Sequence, residues 1–162
     1  CFYDGENIKQ AAPALGFIVG DEASGNYFGK KILNMYFNNN MPDNLKITFE
    51  KTYGVSIKDF SENVYQKERP NKYLAGFFRF LAEHKKDAVF QSMIKNGLRE
   101  FFDLHICCYE NYQKCQIHFI GSVAYFLEDE INELAKEFDC QIGQIIQNPI
   151  ENLVKYHQQE GV

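Results

Sequence analysis

The sequence predicts an α/β fold, a mixed β-sheet interrupted by a helical insertion. Three observations predict it. Short apolar runs next to glycines stand near the start, at 1–5 and 15–20. From about 42 to 106 the apolar residues recur only at helical spacing. Beyond that the pattern runs strand, helix, strand, helix, which implies parallel strands joined by right-handed crossovers.

Cys1-Phe2-Tyr3-Asp4-Gly5 reads as the end of a strand entering a turn. Leu15-Gly16-Phe17-Ile18-Val19-Gly20 reads as a buried strand, with Gly5 to Ala14 as the turn that closes an antiparallel pair. Asp21 and Glu22 then open a helix, because a first turn offers free N–H groups and the positive end of the helix dipole. Phe28, Ile32 and Met35 continue it, and Asn38-Asn39-Asn40 ends it. Gly25 and Gly29 share a face of this helix. Each costs about 1 kcal/mol against alanine, so close backbone approach is expected there, to the sheet or to a ligand. Pro42 and Pro70 suit first-turn positions. The insertion reads as three or four helices, with Phe90, Ile94, Leu98 and Phe101 as one apolar stripe and its many Phe residues as core. Cys115–Ile120 is the next strand. Gly121-Ser122 turns into a helix with Val123, Leu127, Ile131, Leu134 and Phe138 on one face. Gln141–Ile146 is a further strand, and Asn148-Pro149 starts a last helix. An antiparallel start followed by parallel crossovers is the ribonuclease H-like pattern, provided one strand lies before Cys1. Cys1, in place of Met, reads as an edge inside a longer protein. Residues 1–162 read as one lobe, with no internal repeat and no linker to a second domain.

Composition narrows the function classes. With 17 basic and 22 acidic residues the net charge is -5, and the basic footprint that nucleic acid or an anionic membrane requires is lacking. No stretch approaches 18 uncharged apolar residues, so no membrane span is expected, and no signal peptide opens the chain. The five cysteines are an odd number without a C-x-x-C pair; they read as free, mostly buried thiols in a reducing cytoplasm.

Two turns stand out as carriers of chemistry. Gly20-Asp21-Glu22-Ala23-Ser24-Gly25 joins an expected strand to a helix at the strand's carboxyl end, where open α/β sheets bind ligands. Asp21 is suited to accept hydrogen bonds from substrate hydroxyls, or to cap the helix through the N–H of Ala23 or Ser24; both roles stay open. Gly121-Ser122-Val123 makes the second such turn. Gly121 permits a flat ligand such as adenine to approach, Ser122 either caps the helix or touches a phosphate or ribose, and an ordinary βα turn is the plain alternative. Neither a Walker loop nor a dinucleotide fingerprint occurs. His84, His105, His118 and His157 lack metal-ligand spacing, and His118, alternating with Ile117 and Phe119, reads as structural. No metal site made of protein ligands alone is expected. Glu128, Asp129, Glu130, Glu133 and Glu137 read as a solvated helix face, and Cys107 and Cys108 lack the setting of a reactive thiolate.

The stretch Gly16-Phe17-Ile18-Val19-Gly20-Asp21-Glu22-Ala23-Ser24-Gly25, followed by Phe119-Ile120-Gly121-Ser122-Val123-Ala124, resembles the BadF/BadG/BcrA/BcrD-type ATPase family, in particular its N-acetylglucosamine kinase-like bacterial members. Arg69-Pro70-Asn71-Lys72-Tyr73-Leu74-Ala75-Gly76-Phe77 and Asn148-Pro149-Ile150-Glu151-Asn152-Leu153 carry the same resemblance. It implies a carboxyl-terminal ribonuclease H-like lobe of the actin/hexokinase ATPase superfamily, with its helical insertion at about 42–106 and its amino-terminal lobe outside this chain. It implies an ATP-dependent kinase acting on N-acetylglucosamine or a related amino sugar in the cytoplasm, with Mg2+ and ATP. Gly20, Asp21 and Gly25 would then shape the sugar pocket, and Gly121 and Ser122 the adenosine pocket. No catalytic residue is expected in this chain, because the general base belongs to the other lobe, and the chain alone is expected to be inactive. Ala23 stands where the family usually has Gly, and Ala14-Leu15-Gly16 where the animal enzymes have Gly-Trp-Gly. The partners implied are the sugar and ATP, with neither nucleic acid nor membrane, and a homodimer is left open. Two other readings are an ATPase activator of a radical dehydratase or reductase, and a nucleotide- or sugar-binding module without catalysis.

Overall fold

The computed structural model describes residues 1–159. The chain divides into two compact units, residues 13–100 and residues 1–12 with 101 onward, and the division falls between Glu100 and Phe101, inside one helix.

The unit of residues 13–100 is helical. Its elements are α1 (Gly16–Val19), α2 (Gly25–Phe37), α3 (Asp43–Tyr53), α4 (Ile57–Tyr65), α5 (Pro70–Ala75), α6 (Phe78–Glu83) and the greater part of α7 (Ala88–His105). The expected insertion of three or four helices is thus five, α3 to α7. Local signals set their ends. Ser56 and Asp59 form a reciprocal capping box at the start of α4, and Pro70 occupies the first residue of α5, where no N–H is needed. Phe28, Ile32 and Leu33 of α2, Phe49 of α3, Phe80 and Leu81 of α6, and Phe90 and Ile94 of α7 are fully buried. Several of the rings meet edge to face, as in Phe49–Phe80 at 5.1 Å and Phe80–Phe90 at 5.8 Å between centroids, a geometry their quadrupoles favour. The Phe-rich composition is therefore spent on core.

Two expectations at the head of this unit are corrected. Leu15–Gly20 is not a buried strand: residues 16–19 close one helical turn, with the Gly20 N–H donating to the Gly16 carbonyl at 2.9 Å, and Ile18 and Val19 are 77% and 71% exposed. A short apolar run does not distinguish strand from helix, and no described strand lies beside this one to take up its N–H and C=O groups, so the backbone satisfies itself locally. Likewise the helix expected from Asp21 begins at Gly25. Asp21 and Ala23 adopt left-handed backbone, with φ of 65° and 55°, through which a right-handed helix cannot run.

In the other unit, β1 (Phe2–Tyr3) pairs antiparallel with β2 (Ile8–Gln10). The partner of the first strand is therefore β2, which falls inside the stretch expected to be only a turn. The turn is held by Asp4, whose Oδ1 accepts from the N–H groups of Glu6 and Asn7 at 3.0 and 2.8 Å. The β2 end is tied down by Gln10 Nε2, donating to the Cys108 carbonyl at 3.3 Å, and by the Ala12 N–H, donating to the Tyr109 hydroxyl at 2.9 Å. Further on, β3 (Gln116–Ile120) and β4 (Gln141–Ile146) pair in parallel, as expected from the crossover pattern. The register slips by one residue at Gly143-Gln144, opposite His118. The connection contains α8 (Ser122–Phe126) and α9 (Glu128–Glu137), two helices broken at Leu127 where one was expected. Leu127, Ile131, Leu134 and Ala135 are buried with Phe102 and Ile106, and Phe138 lies 5.2 Å from the Phe102 ring. α10 (Ile150–Gln159) follows Asn148-Pro149 as expected. The architecture is mixed α/β, with two small sheets. Among the described residues no helix is long and apolar enough to cross a membrane.

Candidate functional site

The residues expected to contact a sugar lie in one turn of the 13–100 unit. Ser24 caps α2: its backbone is extended and its Oγ accepts from the Tyr27 N–H at 3.1 Å. The cap role considered for Asp21 therefore belongs to Ser24. The Asp21 main-chain carbonyl accepts from the Ser24 N–H at 3.0 Å, which closes the turn. The Asp21 side chain is exposed; its Oδ2 accepts from Asn26 Nδ2 at 3.4 Å, and no hydrogen bond from a described residue reaches its Oδ1. Asp21 and Ala23 hold a backbone conformation that costs non-glycine residues about 1–2 kcal/mol each. Gly20 and Gly25 are both buried. A methyl group on Gly25 would meet the Ala75 Cβ at 3.3 Å. The close approach expected at Gly25 and Gly29 is real, but it is made to α5 rather than to a sheet or a ligand. A methyl on Gly29 would press on the Leu74 carbonyl.

Two residues missed in the sequence hold this turn. Asn26 is buried, and its amide nitrogen donates to the Phe17 carbonyl at 3.3 Å as well as to Asp21. Its Oδ1 has no partner among the described residues. Lys30 Nζ donates to the same Phe17 carbonyl at 2.9 Å. The available signal was a polar Asn set among the buried positions of α2, since a buried amide needs partners. Beside them, Phe17 and Ile18 line a cavity of about 590 Å3 with Leu33, Phe37 and Phe60, and Lys30 is the only charged residue in its wall. Deeper in α2, Tyr27 donates to Glu100 Oε2 at 2.6 Å; burial, reinforced by that carboxylate, pushes the Tyr27 phenol above its ordinary range.

Gly121 and Ser122 lie in the other unit, at the end of β3. The Gly121 N–H donates to the Ile146 carbonyl at 2.8 Å, tying the turn to the end of β4. Gly121 takes φ 129° and ψ 160°, a conformation open essentially to glycine alone, and no atom lies within 4 Å of where a Cβ would stand. Ser122 is exposed and makes no capping hydrogen bond, so its hydroxyl is not used by the helix.

The remaining candidates are structural. His118 Nδ1 accepts from the Gln144 N–H at 3.0 Å, and a methyl on Gly143 would stand 2.7 Å from that nitrogen, so the imidazole fills the β4 bulge. None of the cysteines is fully buried: Cys1 and Cys108 are exposed and the other three half-buried, which corrects the expectation of mostly buried thiols. The small sheets of this unit leave their flanking loops, where the cysteines sit, uncovered. Cys140 is still pushed up to about 11, by burial first and then by Cys107 and Asp139. Among the described residues no group of three or more His, Cys, Asp or Glu side chains is placed to hold a metal ion.

No family model matches the chain, and no curated protein matches it. Among solved structures it is similar to the crystal structure of a candidate N-acetylglucosamine kinase from Porphyromonas gingivalis, with a TM-score of 0.91 and 34% sequence identity. The likeness covers 100% of this chain and 57% of that one, so these residues span little more than half the length of the protein they resemble.

Proposed function

We propose that residues 1–162 are one lobe of an ATP-dependent sugar kinase, acting on N-acetylglucosamine or a related amino sugar, with the second lobe supplied by further polypeptide. The carrying observation is the likeness, across the whole chain at 34% identity, to the P. gingivalis candidate kinase. In this reading the lobe is ribonuclease H-like and of the BadF/BadG/BcrA/BcrD type, and the enzyme works in the cytoplasm.

The geometry of the two turns supports the reading. Asp21 offers an exposed carboxylate whose Oδ2 is drawn toward the Asn26 amide, leaving Oδ1 to accept from a sugar hydroxyl. A hydrogen bond to a charged acceptor contributes about 1.5–3 kcal/mol. Gly20 and Gly25 shape the backbone on either side of it. Gly121 leaves its turn bare for a flat base, with the free Ser122 hydroxyl beside it for a ribose or phosphate oxygen. Mg2+, when bound, neutralises the triphosphate. Among the described residues no donor set is placed to hold a metal ion, and this reading assigns the ion to the nucleotide and to the other lobe. The work of these residues is binding and orientation. The group that takes the proton from the attacking hydroxyl is assigned to the second lobe.

The test is ADP release by the complete two-lobed protein, assayed across amino sugars and hexoses with Mg-ATP. Turnover of an amino sugar is expected, and Asp21→Ala should weaken it while leaving nucleotide binding nearly intact. Silence with every sugar overturns the assignment; equal loss of sugar and nucleotide binding reduces Asp21 to a structural role.

A further inference from the structure

We propose that the groove between α2 and α4 is a binding site for a small anionic amphiphile, an unbranched apolar chain that ends in one carboxylate. The groove is the cavity of about 590 Å3 beside Phe17, within the roughly 300–1,000 Å3 of small-molecule sites. None of Gly20, Asp21, Gly25, Gly121 or Ser122 lines it. Lys30, Asn34 and Asn38, four residues apart, edge its α2 side, and Ile57, Phe60 and Val64 form its α4 side. Ile18, Ile57 and Tyr65 stand exposed around it, so apolar surface here meets water. A hydrocarbon tail covers such a wall without needing hydrogen-bond partners, whereas a peptide main chain would need them.

A single cation selects the head group. Lys30 is half-buried, and no other charged residue lines the groove. Its Nζ donates to the Phe17 carbonyl at 2.9 Å, and Lys30 makes no ion pair among the described residues. An ammonium carries three donors, so two are left for an anion, and a charge held against apolar surface is stabilised by a counter-charge. The bond to Phe17 fixes the ammonium at the α1 end of the groove. From Lys30 to Asn38 the α2 wall runs about 12 Å at the helical rise per residue. It ends where the Phe37 and Phe60 rings meet, 5.7 Å apart between centroids. An extended chain advances about 1.2 Å per bond, so the wall accommodates about ten bonds. The ligand class is therefore a medium-chain carboxylic acid, with its head at Lys30 and its tail toward Phe37. The inference stands on this cavity and not on the kinase reading.

The probe is sodium decanoate, titrated calorimetrically into the intact polypeptide below the concentration at which decanoate self-associates. One molecule is expected to bind per chain. Octanoate, two methylenes shorter, should bind roughly fifteenfold more weakly. Methyl decanoate, which lacks the charge, should bind at least about tenfold more weakly. Lys30→Met keeps the apolar stem but loses the ammonium and should weaken decanoate binding at least about tenfold, whereas Lys30→Arg should retain it. In the parent, the methyl signals of Leu33, Val64 and Leu74 should shift on binding, and those of Leu98 and Ile131, buried elsewhere, should not. This mapping and the comparison of head groups use the parent alone, so they decide the matter even where Lys30→Met does not fold. Absence of saturable binding overturns the proposal, as do several molecules bound per chain or shifts confined to other residues. So does equal affinity for decanoate and its methyl ester, or undiminished binding by Lys30→Met with the parent's melting temperature. An acidic amphipathic peptide that binds where decanoate does not would assign the groove to a protein partner and overturn it as well.

Discussion

Replacing Gly29 by alanine sets two effects of known size against each other. Alanine is the better helix former by about 1 kcal/mol, and Gly29 lies inside α2, so propensity alone predicts stabilisation. The new methyl, however, would press on the carbonyl of Leu74, with the Leu74 carbonyl carbon at 2.7 Å and its Cα at 3.5 Å. These are main-chain atoms of α5, so no side-chain rotation relieves the contact, and the helices must separate. Leu33 and Leu74, buried on α2 and α5, would be loosened by that movement. Overpacking costs about 1–3 kcal/mol, and a backbone contact this close belongs at or above the upper end. The net expectation is a loss of about 2 kcal/mol or more. With a urea slope of about 2 kcal/mol/M, the unfolding midpoint should fall by about 1 M or more, read from the amide signals of α2 so that only this unit is followed. Gly25→Ala is the control. It sits at the first residue of α2 and meets the Ala75 Cβ at 3.3 Å, with the Ala75 Cα and carbonyl oxygen at an ordinary 3.5 Å, so it should lie within about 0.5 kcal/mol of the parent. If Gly29→Ala unfolds at the parent's midpoint or above it, propensity has won, and the spacing of α2 and α5 is not set by the missing side chain.

Gly121→Ala should destabilise its unit by about 1–3 kcal/mol in a thermal melt although nothing obstructs the methyl, because the cost lies wholly in φ 129°; an unchanged melt would contradict this. Ser24→Ala removes the cap of α2 and should cost about 1 kcal/mol, whereas Ser122→Ala, at a hydroxyl that caps nothing, should cost nothing measurable. Lys9, helped by the N–H groups of Asn7 and Glu6, holds the Asp4 carboxyl at about 2, below its ordinary 3.8. A depressed carboxyl supports the folded hairpin fully above its unfolded value and loses that support as pH falls toward 2. An NMR titration should place the Asp4 midpoint well below 3.8, and Lys9→Gln should move it upward. Because burial raises Cys140 to about 11, iodoacetamide at pH 8 should modify the exposed Cys1 and Cys108 well before Cys140; peptide mass spectrometry gives the order.

Where local chemistry and tertiary context agree, the sequence was legible. Gln141–Ile146 forms the strand its apolar pattern marks, and its parallel pairing with Gln116–Ile120 follows from the helices that must fit between them. Of the stripe Phe90, Ile94, Leu98 and Phe101, the first three are buried as their spacing requires, whereas Phe101 is half-buried and its neighbour Phe102 is the buried residue. Legibility failed where two structures satisfy one pattern. Three apolar residues between glycines fit a strand or a helical turn, and only the absence of a neighbouring described strand decides between them for 16–19. It failed again at Leu127: the apolar positions suit a single helix, yet the chain breaks there into two, and no residue of the break signals it. The turn at Asp21 was found, but for the wrong local reason. Acidic residues before a helix read as its first turn, whereas the chain holds them outside the helix and gives the cap to Ser24.

That displacement bears on what Asp21 is for. A helix start needs one cap, and Ser24 provides it. The turn nonetheless keeps two non-glycine residues in left-handed backbone and adds the Asn26 and Lys30 bonds to the Phe17 carbonyl, which fix α1 against α2. Strain that capping does not require is expected where a side chain must be presented outward. Asp21→Asn separates presentation from charge. Asparagine tolerates positive φ as well as aspartate does, so the turn and its stability should survive within about 0.5 kcal/mol. In the proposed reading, replacing a charged acceptor by a neutral one removes about 1 kcal/mol from a hydroxyl hydrogen bond, or about fivefold in sugar affinity. Calorimetric titration of the proposed two-lobed protein with an amino sugar, beside urea unfolding of the same variant, measures both. A variant that unfolds early yet binds sugar like the parent would mean that the carboxylate serves the fold alone.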